Sequence, residues 1–248
     1  MGIADLHIHT SYSWDGTSTI SAILQYAKDR KLDIVAITDH DTIAGHAEAF
    51  ELAAIYNIQI IPGVEISTAD GHLLAYFIHE PIPAKRSLIQ TIEKIGQQGG
   101  LCVAAHPEAK FVHAIKEEAL SIAASIPAFE DVLVGVETVN AGLLYRKSNH
   151  LAAHFSPQYH LSAVGGSDSH IHWTVGDAVT YFSGESIADL RRNLLIRKTQ
   201  SLIKTETRPP LYFVQHVHRR LLRKFGWVAS STGPNLPYGM QRIIHQGQ

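Results

Sequence analysis

Residues 5–10 read DLHIHT, directly after the apolar Ile3 and the small Ala4 of the 248-residue chain. If this segment is a β-strand, His7 and His9 lie two positions apart and point to the same side. Barrel enzymes present their ligands at the ends of strands in this way, and imidazole nitrogen binds zinc, manganese or iron. The segment therefore predicts a strand that ends in a metal site.

The same pattern recurs along the chain. Apolar segments at residues 33–38, 58–64, 72–78, 101–105 and 161–165 end at, or lead to, His40, Glu65, His79, His106, Asp168 and His170. Together with His7, His9 and Asp15 these are nine nitrogen and oxygen donors, enough for two or three divalent ions. Ligands from at least five strands favour a closed or nearly closed barrel over a doubly wound open sheet, which gathers its site at one switch point.

Helical segments separate most of these strands. The spacing of apolar residues predicts helices at residues 19–31, 45–56, 87–98, 116–125, 149–159 and 187–198. About seven strands that alternate with helices imply an α/β barrel of parallel strands with right-handed crossovers. We expect residues 1–200 to form this metal-dependent hydrolase barrel.

Residues 201–248 have a different composition. They contain a basic stretch at residues 216–224, HVHRRLLRK, and a Gly/Pro-rich end. We interpret this part as a C-terminal extension with a surface helix; contact with an anionic polymer or a membrane interface is the alternative.

Composition limits the classes of function. A net charge of −2 provides no strong basic field for duplex nucleic acid. The single cysteine, Cys102, excludes a disulfide framework and a zinc site built from several cysteines. No apolar run approaches the roughly 20 residues of a membrane span, and a strand at Ile3 leaves no room for a signal peptide. We therefore expect a cytoplasmic protein.

Five motifs carry a resemblance to a known family. DLHIHT, TDHD, PGVEIS, AAHP and GSDSH occur in this order over about residues 3–200. This set resembles the PHP (polymerase and histidinol phosphatase) superfamily. The resemblance implies a distorted (β/α)7 barrel that holds a di- or trinuclear centre of manganese, zinc or iron and hydrolyses phosphoesters.

The resemblance also implies a set of ligands. His7, His9, Glu65 and Asp168 hold a first metal; Glu65 bridges to a second metal with His79 and His106; Asp15, His40 and His170 hold a third. Asp15 stands where some family members have histidine. Related phosphoesterases have an aspartate at about the position of His79, and His72 lies nearby as the alternative ligand.

Two acidic residues outside this set are candidates for supporting the reaction. Asp39 precedes His40 and either orients an imidazole or caps the end of its strand. Glu137 ends a strand in GVETVN, where it either orients a ligand or contacts the substrate. We interpret Asp41 and Asp177 as structural.

Cations and aromatic residues near the ligands are candidates for binding substrate. Lys110, Arg146 and Lys147 either meet the phosphate or are solvated surface charges. Trp14 and Trp173 lie close to ligands in the sequence, where they either stack on a base or form the pocket wall.

The donors predict hydrolysis by a hydroxide that bridges the metals and attacks phosphorus. The leading hypothesis is a phosphoesterase that acts on a small phosphorylated compound, a nucleotide or a short single-stranded oligonucleotide. A histidinol-phosphate phosphatase is the runner-up, with Glu137 available for the substrate amine. A non-catalytic, metal-stabilised PHP module and an amidohydrolase-like enzyme are further alternatives; no lysine stands at a strand end for the latter.

Overall fold

The computed structural model describes residues 1–142 and 145–205, and in the C-terminal part residues 214, 217, 218, 220–222, 224 and 225. Nine strands form one sheet within the described residues. They are β1 (Gly2–Asp5), β2 (Ile34–Ile37), β3 (Gln59–Ser67), β4 (His72–Tyr76), β5 (Leu101–Ala104), β6 (Leu133–Asn140), β7 (Ser162–Gly166), β8 (Ala178–Phe182) and β9 (Gln200–Ile203). The predicted α/β barrel is confirmed: the sheet curves into a distorted, nearly closed barrel.

Helices separate most of the strands, as the sequence predicted. They are α1 (Ile20–Asp29), α2 (His46–Tyr56), α3 (Leu88–Gln97), α4 (Glu117–Ala124), α5 (Arg146–Gln158) and α6 (Ile187–Leu195). Polar side chains fix the starts of several helices: Thr19 accepts a hydrogen bond from the backbone N–H of Ala22, and Ser186 and Asp189 form a capping box. Within the described residues, each helix is too short or too polar to span a bilayer.

The strand order is β7-β6-β5-β4-β3-β2-β1-β8-β9. Neighbouring strands from β1 to β3 and from β5 to β7 are parallel, but β4 is antiparallel to both β3 and β5. The expectation of parallel strands throughout is therefore wrong at β4, and also at β8, which is antiparallel to both β1 and β9. Only residues 68–71 separate β3 from β4, and a parallel crossover needs a dozen residues or more.

The predicted domain boundary after residue 200 falls inside the sheet. Strand β9 begins at Gln200 and pairs with β8 from Ala178 to Tyr181. The barrel therefore continues at least to Ile203. The predicted C-terminal extension lies partly outside the described residues.

Apolar side chains fill the interior of the barrel. One buried cluster takes residues from every strand between β1 and β8 and from α6, including Leu6, Ile34, Ile61, Leu74, Val103, Val134, Val164, Phe182 and Leu190. Tyr76 lies fully buried in this cluster, and its hydroxyl donates to the backbone oxygen of Leu6 at 2.9 Å. Because α6 contributes to the interior, we infer that it covers one end of the barrel. This end lies opposite the rim that carries the predicted metal ligands.

The two ends of the curved sheet meet through two kinds of contact. The hydroxyl of Thr180 in β8 accepts from the N–H of Gly165 at 2.8 Å and donates to its oxygen at 2.9 Å. Beyond β1 and β7, a parallel bridge joins Ile8 to Ser169. This bridge places the histidines that follow β1 beside the segment that follows β7.

Substitutions of Thr180 test whether its hydrogen bonds to Gly165 hold the barrel closed. Thr180→Val keeps the shape of the side chain but leaves two buried backbone groups of Gly165 without a partner, so the free energy of unfolding should fall by about 3 kcal/mol. Thr180→Ser keeps both hydrogen bonds and loses one methyl group, at about 1 kcal/mol. Urea denaturation of the two variants measures the difference. Equal stability of the variants would contradict the closure described here.

Candidate metal centre

Among the described residues, nine imidazole and carboxylate side chains converge at one rim of the barrel, and they come from almost every part of it. His7 and His9 follow β1, Asp15 lies on the loop before α1, His40 follows β2, Glu65 lies within β3, His72 begins β4, His106 follows β5, and Asp168 and His170 follow β7. They form four overlapping groups of imidazole and carboxylate donors in which the ligand atoms lie within 4.8 Å of one another. Eight of these nine residues belong to the predicted set.

Glu65 lies at the middle of the cluster and is 1% exposed. Its Oε1 atom faces His72 Nδ1 at 3.0 Å and His106 Nε2 at 3.1 Å. Its Oε2 atom faces His7 Nε2 at 3.2 Å and His9 Nε2 at 3.1 Å. The Nδ1 atom of His40 also lies 3.3 Å from Oε2. The two oxygens therefore face separate sets of imidazoles, two at Oε1 and three at Oε2, which suits a carboxylate shared by two metal ions.

Asp168 lies close to the imidazoles of both His7 and His9. Its Oδ1 atom lies 3.4 Å from His7 Nε2 and 3.3 Å from His9 Nε2, and these two nitrogen atoms lie 3.1 Å apart. Atoms that bind one ion at about 2.1 Å lie roughly 3–3.5 Å from one another. The spacing of these donors fits a divalent metal.

Asp15 gathers a further group at the outer side of the rim. Its Oδ2 atom faces His170 Nε2 at 2.8 Å and His40 Nε2 at 3.3 Å. The ring of His9 stacks on the ring of His170 with centroids 4.3 Å apart. These four residues form one donor group, which fits the third predicted metal.

The structure corrects the prediction for His79. This residue is exposed, and its backbone N–H donates to the side chain of Gln98, away from the cluster. Because β4 is antiparallel, its first residue and not its last lies at the rim. His72 takes the place that the prediction gave to His79.

Unpaired nitrogen atoms support the reading of the cluster as a metal site. The Nδ1 atoms of His40, His72 and His106 are buried and have no hydrogen-bond partner among the described residues. The Nδ1 atoms of His40 and His72 lie 3.3 and 3.0 Å from Glu65 oxygens, but without the geometry of a hydrogen bond. Burying a polar atom without a partner is costly, and a cation bound beside Glu65 would give the Nδ1 atoms of His40 and His72 a partner.

The charges of the cluster compensate one another. Burial alone would raise the pKa of Glu65, but the imidazoles of His7 and His40 hold the pKa of this carboxyl well below its usual range. Burial alone would lower the pKa of His9, but its contacts with Asp168 and Glu65 raise that pKa to about 10. Imidazolium groups therefore balance the carboxylates in the metal-free protein. Metal ions that bind here must displace those protons.

Glu137 lies behind the ligands, as the sequence analysis allowed. Its Oε1 atom is 3.0 Å from His7 Nδ1, and its Oε2 atom accepts from the backbone N–H of His106 at 2.8 Å. The amide of Asn140 donates to the same Oε2 atom at 2.9 Å and to Asp168 Oδ2 at 3.2 Å. A carboxylate on the far nitrogen of a metal-binding imidazole fixes its tautomer and its orientation.

The structure corrects the suggestion that Asp39 orients an imidazole. Its carboxylate accepts from the backbone N–H of Thr10 at 2.6 Å and from the Thr10 hydroxyl at 2.7 Å. Asp39 thus holds the turn that follows His9. The predicted structural role of Asp41 is confirmed by its contact with the Ser67 N–H at 2.7 Å, and that of Asp177 by its ion pair with Arg30 at 3.0 Å.

The backbone is adapted to the crowded rim. A Cβ atom on Gly166 would lie 2.5 Å from the Cβ of His7 and 2.7 Å from Glu137 Oε1, so only glycine fits. His106 and Asp168 both have positive φ angles, 28° and 51°. Non-glycine residues rarely adopt this conformation, and strained backbone of this kind concentrates at functional sites.

The predicted substrate contacts remain predictions. Lys110 is exposed on the loop after His106, and Lys147 is exposed in the first turn of α5. Arg146 begins α5, and its side chain lies outside the described part of the structure. Trp14 stacks on His40 with ring centroids 5.6 Å apart, whereas Trp173 packs against His172.

Two residues of the site escaped the sequence analysis. Asn140 ends β6 three positions after Glu137, so the rule that polar residues at strand ends face the rim would have found it. Tyr145 stacks on His106 with nearly parallel rings and centroids 5.2 Å apart. Burial, followed by the charges of Asp168 and Glu65, raises the pKa of the Tyr145 hydroxyl, which therefore stays protonated. No local pattern indicates this tyrosine.

The fold and the cluster together define the class of the protein as a metal-dependent hydrolase. The sequence model of the PHP domain family matches residues 5–206 of this chain. The chain therefore belongs to the PHP domain family.

Several proteins are similar in sequence to parts of this chain. An uncharacterised protein of Methanocaldococcus jannaschii is 38% identical over 148 residues, which are 56% of this chain and 81% of that protein. A phosphoribosyl 1,2-cyclic phosphate 1,2-diphosphodiesterase of Eggerthella lenta is 35% identical over 99 residues, 37% of each chain. A 3′,5′-nucleoside bisphosphate phosphatase of Chromobacterium violaceum is 34% identical over 96 residues, 38% of this chain and 33% of that one.

A solved structure supports the fold. A two-domain protein of Bacteroides vulgatus that contains a predicted PHP-like metal-dependent phosphoesterase superposes with a TM-score of 0.66. The match covers 81% of this chain and 64% of that chain at 20% identity.

His72 and His79 form a matched pair for testing the ligand set. His72→Ala removes a donor that faces Glu65, so the metal content of purified protein should fall by about one ion per chain. His79→Ala removes an exposed imidazole and should leave the metal content unchanged. Elemental analysis by mass spectrometry after dialysis measures both. A loss of metal in His79→Ala but not in His72→Ala would overturn the assignment.

Proposed function

We propose that this PHP-family protein is a metal-dependent phosphoesterase that acts on a small phosphorylated compound, a nucleotide or a short single-stranded oligonucleotide. The observation that carries the proposal is the environment of Glu65, whose two oxygens face separate sets of imidazoles, two at Oε1 and three at Oε2. The named relatives that act on a cyclic phosphodiester and on a nucleoside bisphosphate support the choice of phosphoesters.

The nine donors of the rim can be divided among three metal ions. His7, His9 and Asp168 would bind a first ion together with Glu65 Oε2; His72 and His106 would bind a second with Glu65 Oε1. Asp15, His40 and His170 would bind a third. Manganese, zinc and iron all suit this donor set. Such ions lower the pKa of a water molecule and neutralise charge on a phosphate group.

The residues around the candidate ligands orient them and keep them largely away from water. Glu137 holds the ring of His7, and Asn140 ties Glu137 to Asp168, so the ligands keep their positions when substrate binds. The cluster lies mostly buried at the rim, where electrostatic interactions are stronger than in water. The hydroxyl of Tyr145, which lies next to His106 and Asp168, is a further hydrogen-bonding group at the same rim.

The chain offers no sign of covalent catalysis by its cysteine. Cys102 is fully buried in β5, and burial raises the pKa of its thiol, so it is an inert core residue.

The alternatives lose support in the described structure. For a histidinol-phosphate phosphatase, Glu137 would have to bind the substrate amine, but both its oxygens already contact His7, His106 and Asn140. For a non-catalytic module, ligands should be missing, whereas the nine donors at the rim form complete groups.

A panel of substrates tests the proposal. Protein loaded with Mn²⁺ is incubated with p-nitrophenyl phosphate, nucleoside monophosphates, adenosine 3′,5′-bisphosphate, short oligonucleotides, histidinol phosphate and a phosphodiester. We expect phosphoester hydrolysis of a nucleotide-type substrate, measured as phosphate or nitrophenol release. His9→Ala should lower kcat/KM at least about 100-fold, because metal activation supplies several kcal/mol of transition-state stabilisation.

His154→Ala is the matched control, because His154 is an exposed imidazole on α5 outside the cluster. It should retain full activity. Hydrolysis of histidinol phosphate alone would favour the runner-up. Failure of metal-loaded protein to hydrolyse any member of the panel would contradict the proposed function.

A further inference from the structure

A cavity of about 560 Å³ adjoins the metal centre at the C-terminal part of the chain. Among the described residues it is lined by Trp14, Val217, Arg220, Leu221 and Lys224, and we call it the tail cavity. Four of these five residues lie beyond residue 206, where the match to the PHP domain ends. Most of the described lining of the tail cavity therefore lies outside the part of the chain that matches the PHP domain.

Trp14 links the tail cavity to the metal centre. It precedes the candidate ligand Asp15, and its ring lies nearly parallel to the ring of His40, with centroids 5.6 Å apart and 22° between the planes. The guanidinium of Arg220 lies over the same indole, 5.2 Å from its centroid. A candidate metal ligand, an aromatic ring and a cation therefore follow one another from the rim into the tail cavity.

The lining of the tail cavity defines the chemistry of its ligand. Arg220 and Lys224 provide two exposed cations, and none of the five described lining residues is acidic. Val217, Leu221 and the indole provide apolar surface, and Trp14 remains 68% exposed despite its contacts, so its ring is accessible to a ligand. Cations beside an aromatic face suit a phosphate carried on a nucleoside, whose base stacks on any aromatic ring.

The size of the tail cavity agrees with such a ligand. A volume of about 560 Å³ falls within the usual range of sites for small molecules. Arginine binds phosphate through two parallel hydrogen bonds, and lysine adds a point charge. Helical backbone at residues 217, 218, 220–222 and 224 places Arg220 and Lys224 one turn apart, on the same face.

We propose that the tail cavity binds a second phosphate of the substrate, one nucleoside away from the phosphoester that the metal centre hydrolyses. The protein would then prefer nucleoside bisphosphates or the ends of short oligonucleotides over compounds with a single phosphate. This inference rests on the proposed phosphoesterase function and specifies its substrate.

The first experiment compares two substrates of one enzyme. The ratio of kcat/KM for adenosine 3′,5′-bisphosphate to kcat/KM for p-nitrophenyl phosphate is measured for the wild type and for Arg220→Ala. We expect the ratio to fall at least about tenfold, mainly through KM for the bisphosphate. Lys224→Ala should change the ratio in the same direction but less, because lysine lacks the planar, two-pronged donor geometry of arginine.

Arg191→Ala is the matched control. Arg191 also lies over an aromatic ring, that of Phe77, at 4.6 Å, but Phe77 directly follows the end of β4 that lies away from the rim. Its loss should leave both substrates and their ratio unchanged. An unchanged ratio in Arg220→Ala, or an equal loss with both substrates, would overturn the proposal.

The second experiment does not depend on catalysis. Binding of adenosine 3′,5′-bisphosphate to metal-free protein is measured by isothermal titration calorimetry. Adenosine, which has no phosphate, and inorganic phosphate, which has no nucleoside, are measured in the same way. We expect the bisphosphate to bind more tightly than either probe, and Arg220→Ala to weaken its Kd at least about tenfold. Equal Kd values for wild type and Arg220→Ala would overturn the tail cavity as a phosphate site, whereas absence of hydrolysis with normal binding would contradict only the proposed function.

Discussion

The structure depends on one buried carboxylate. Glu65 is 1% exposed, and five imidazoles lie within 3.3 Å of its two oxygens. A charge buried this deeply is tolerated only when charged or hydrogen-bonding groups surround it. The surrounding imidazoles come from His7, His9, His40, His72 and His106, so one side chain connects the ends of β1, β2, β3, β4 and β5.

The rest of the rim keeps these donors in place. The bridge between Ile8 and Ser169 joins the segments that follow β1 and β7, and it brings Asp168 to His7 and His9. Behind them, Glu137 reaches both His7 and the backbone of His106. The rim is therefore a network of mutual contacts in which no ligand is positioned by its own strand alone. Such a network prepares the site before metal or substrate binds, which is what precise coordination requires.

Much of this arrangement could be predicted from the sequence, because a strand that ends in a polar residue leaves a readable pattern. The apolar segments before His7, His40 and His106 correctly predicted strands, and the structure places these three side chains together at the rim. The direction of a strand in the sheet was harder to predict than its position in the sequence. The residues of β4 fit a strand in either direction, and only the short connection of residues 68–71 forces the antiparallel course that exchanges His79 for His72.

Contacts between distant parts of the chain left no local signal. Asp39 stands next to His40 in the sequence, yet it binds Thr10, because the turn after β1 lies against the end of β2. Tyr145 reaches His106 across 39 positions, and Trp14 meets Arg220 across more than 200. Pairings of this kind depend on the tertiary fold, and neither periodicity nor spacing in the sequence indicates them.

The most direct test of the account is diffraction from crystals of Mn²⁺-loaded protein, recorded above and below the manganese absorption edge. We expect two or three anomalous peaks enclosed by the rim residues, with Glu65 between two of them and His72, not His79, beside one. Exposed histidines such as His150 and His154, whose rings lie 5.3 Å apart on α5, provide the contrast within the same map. Peaks at that pair with none beside Glu65 would contradict the account.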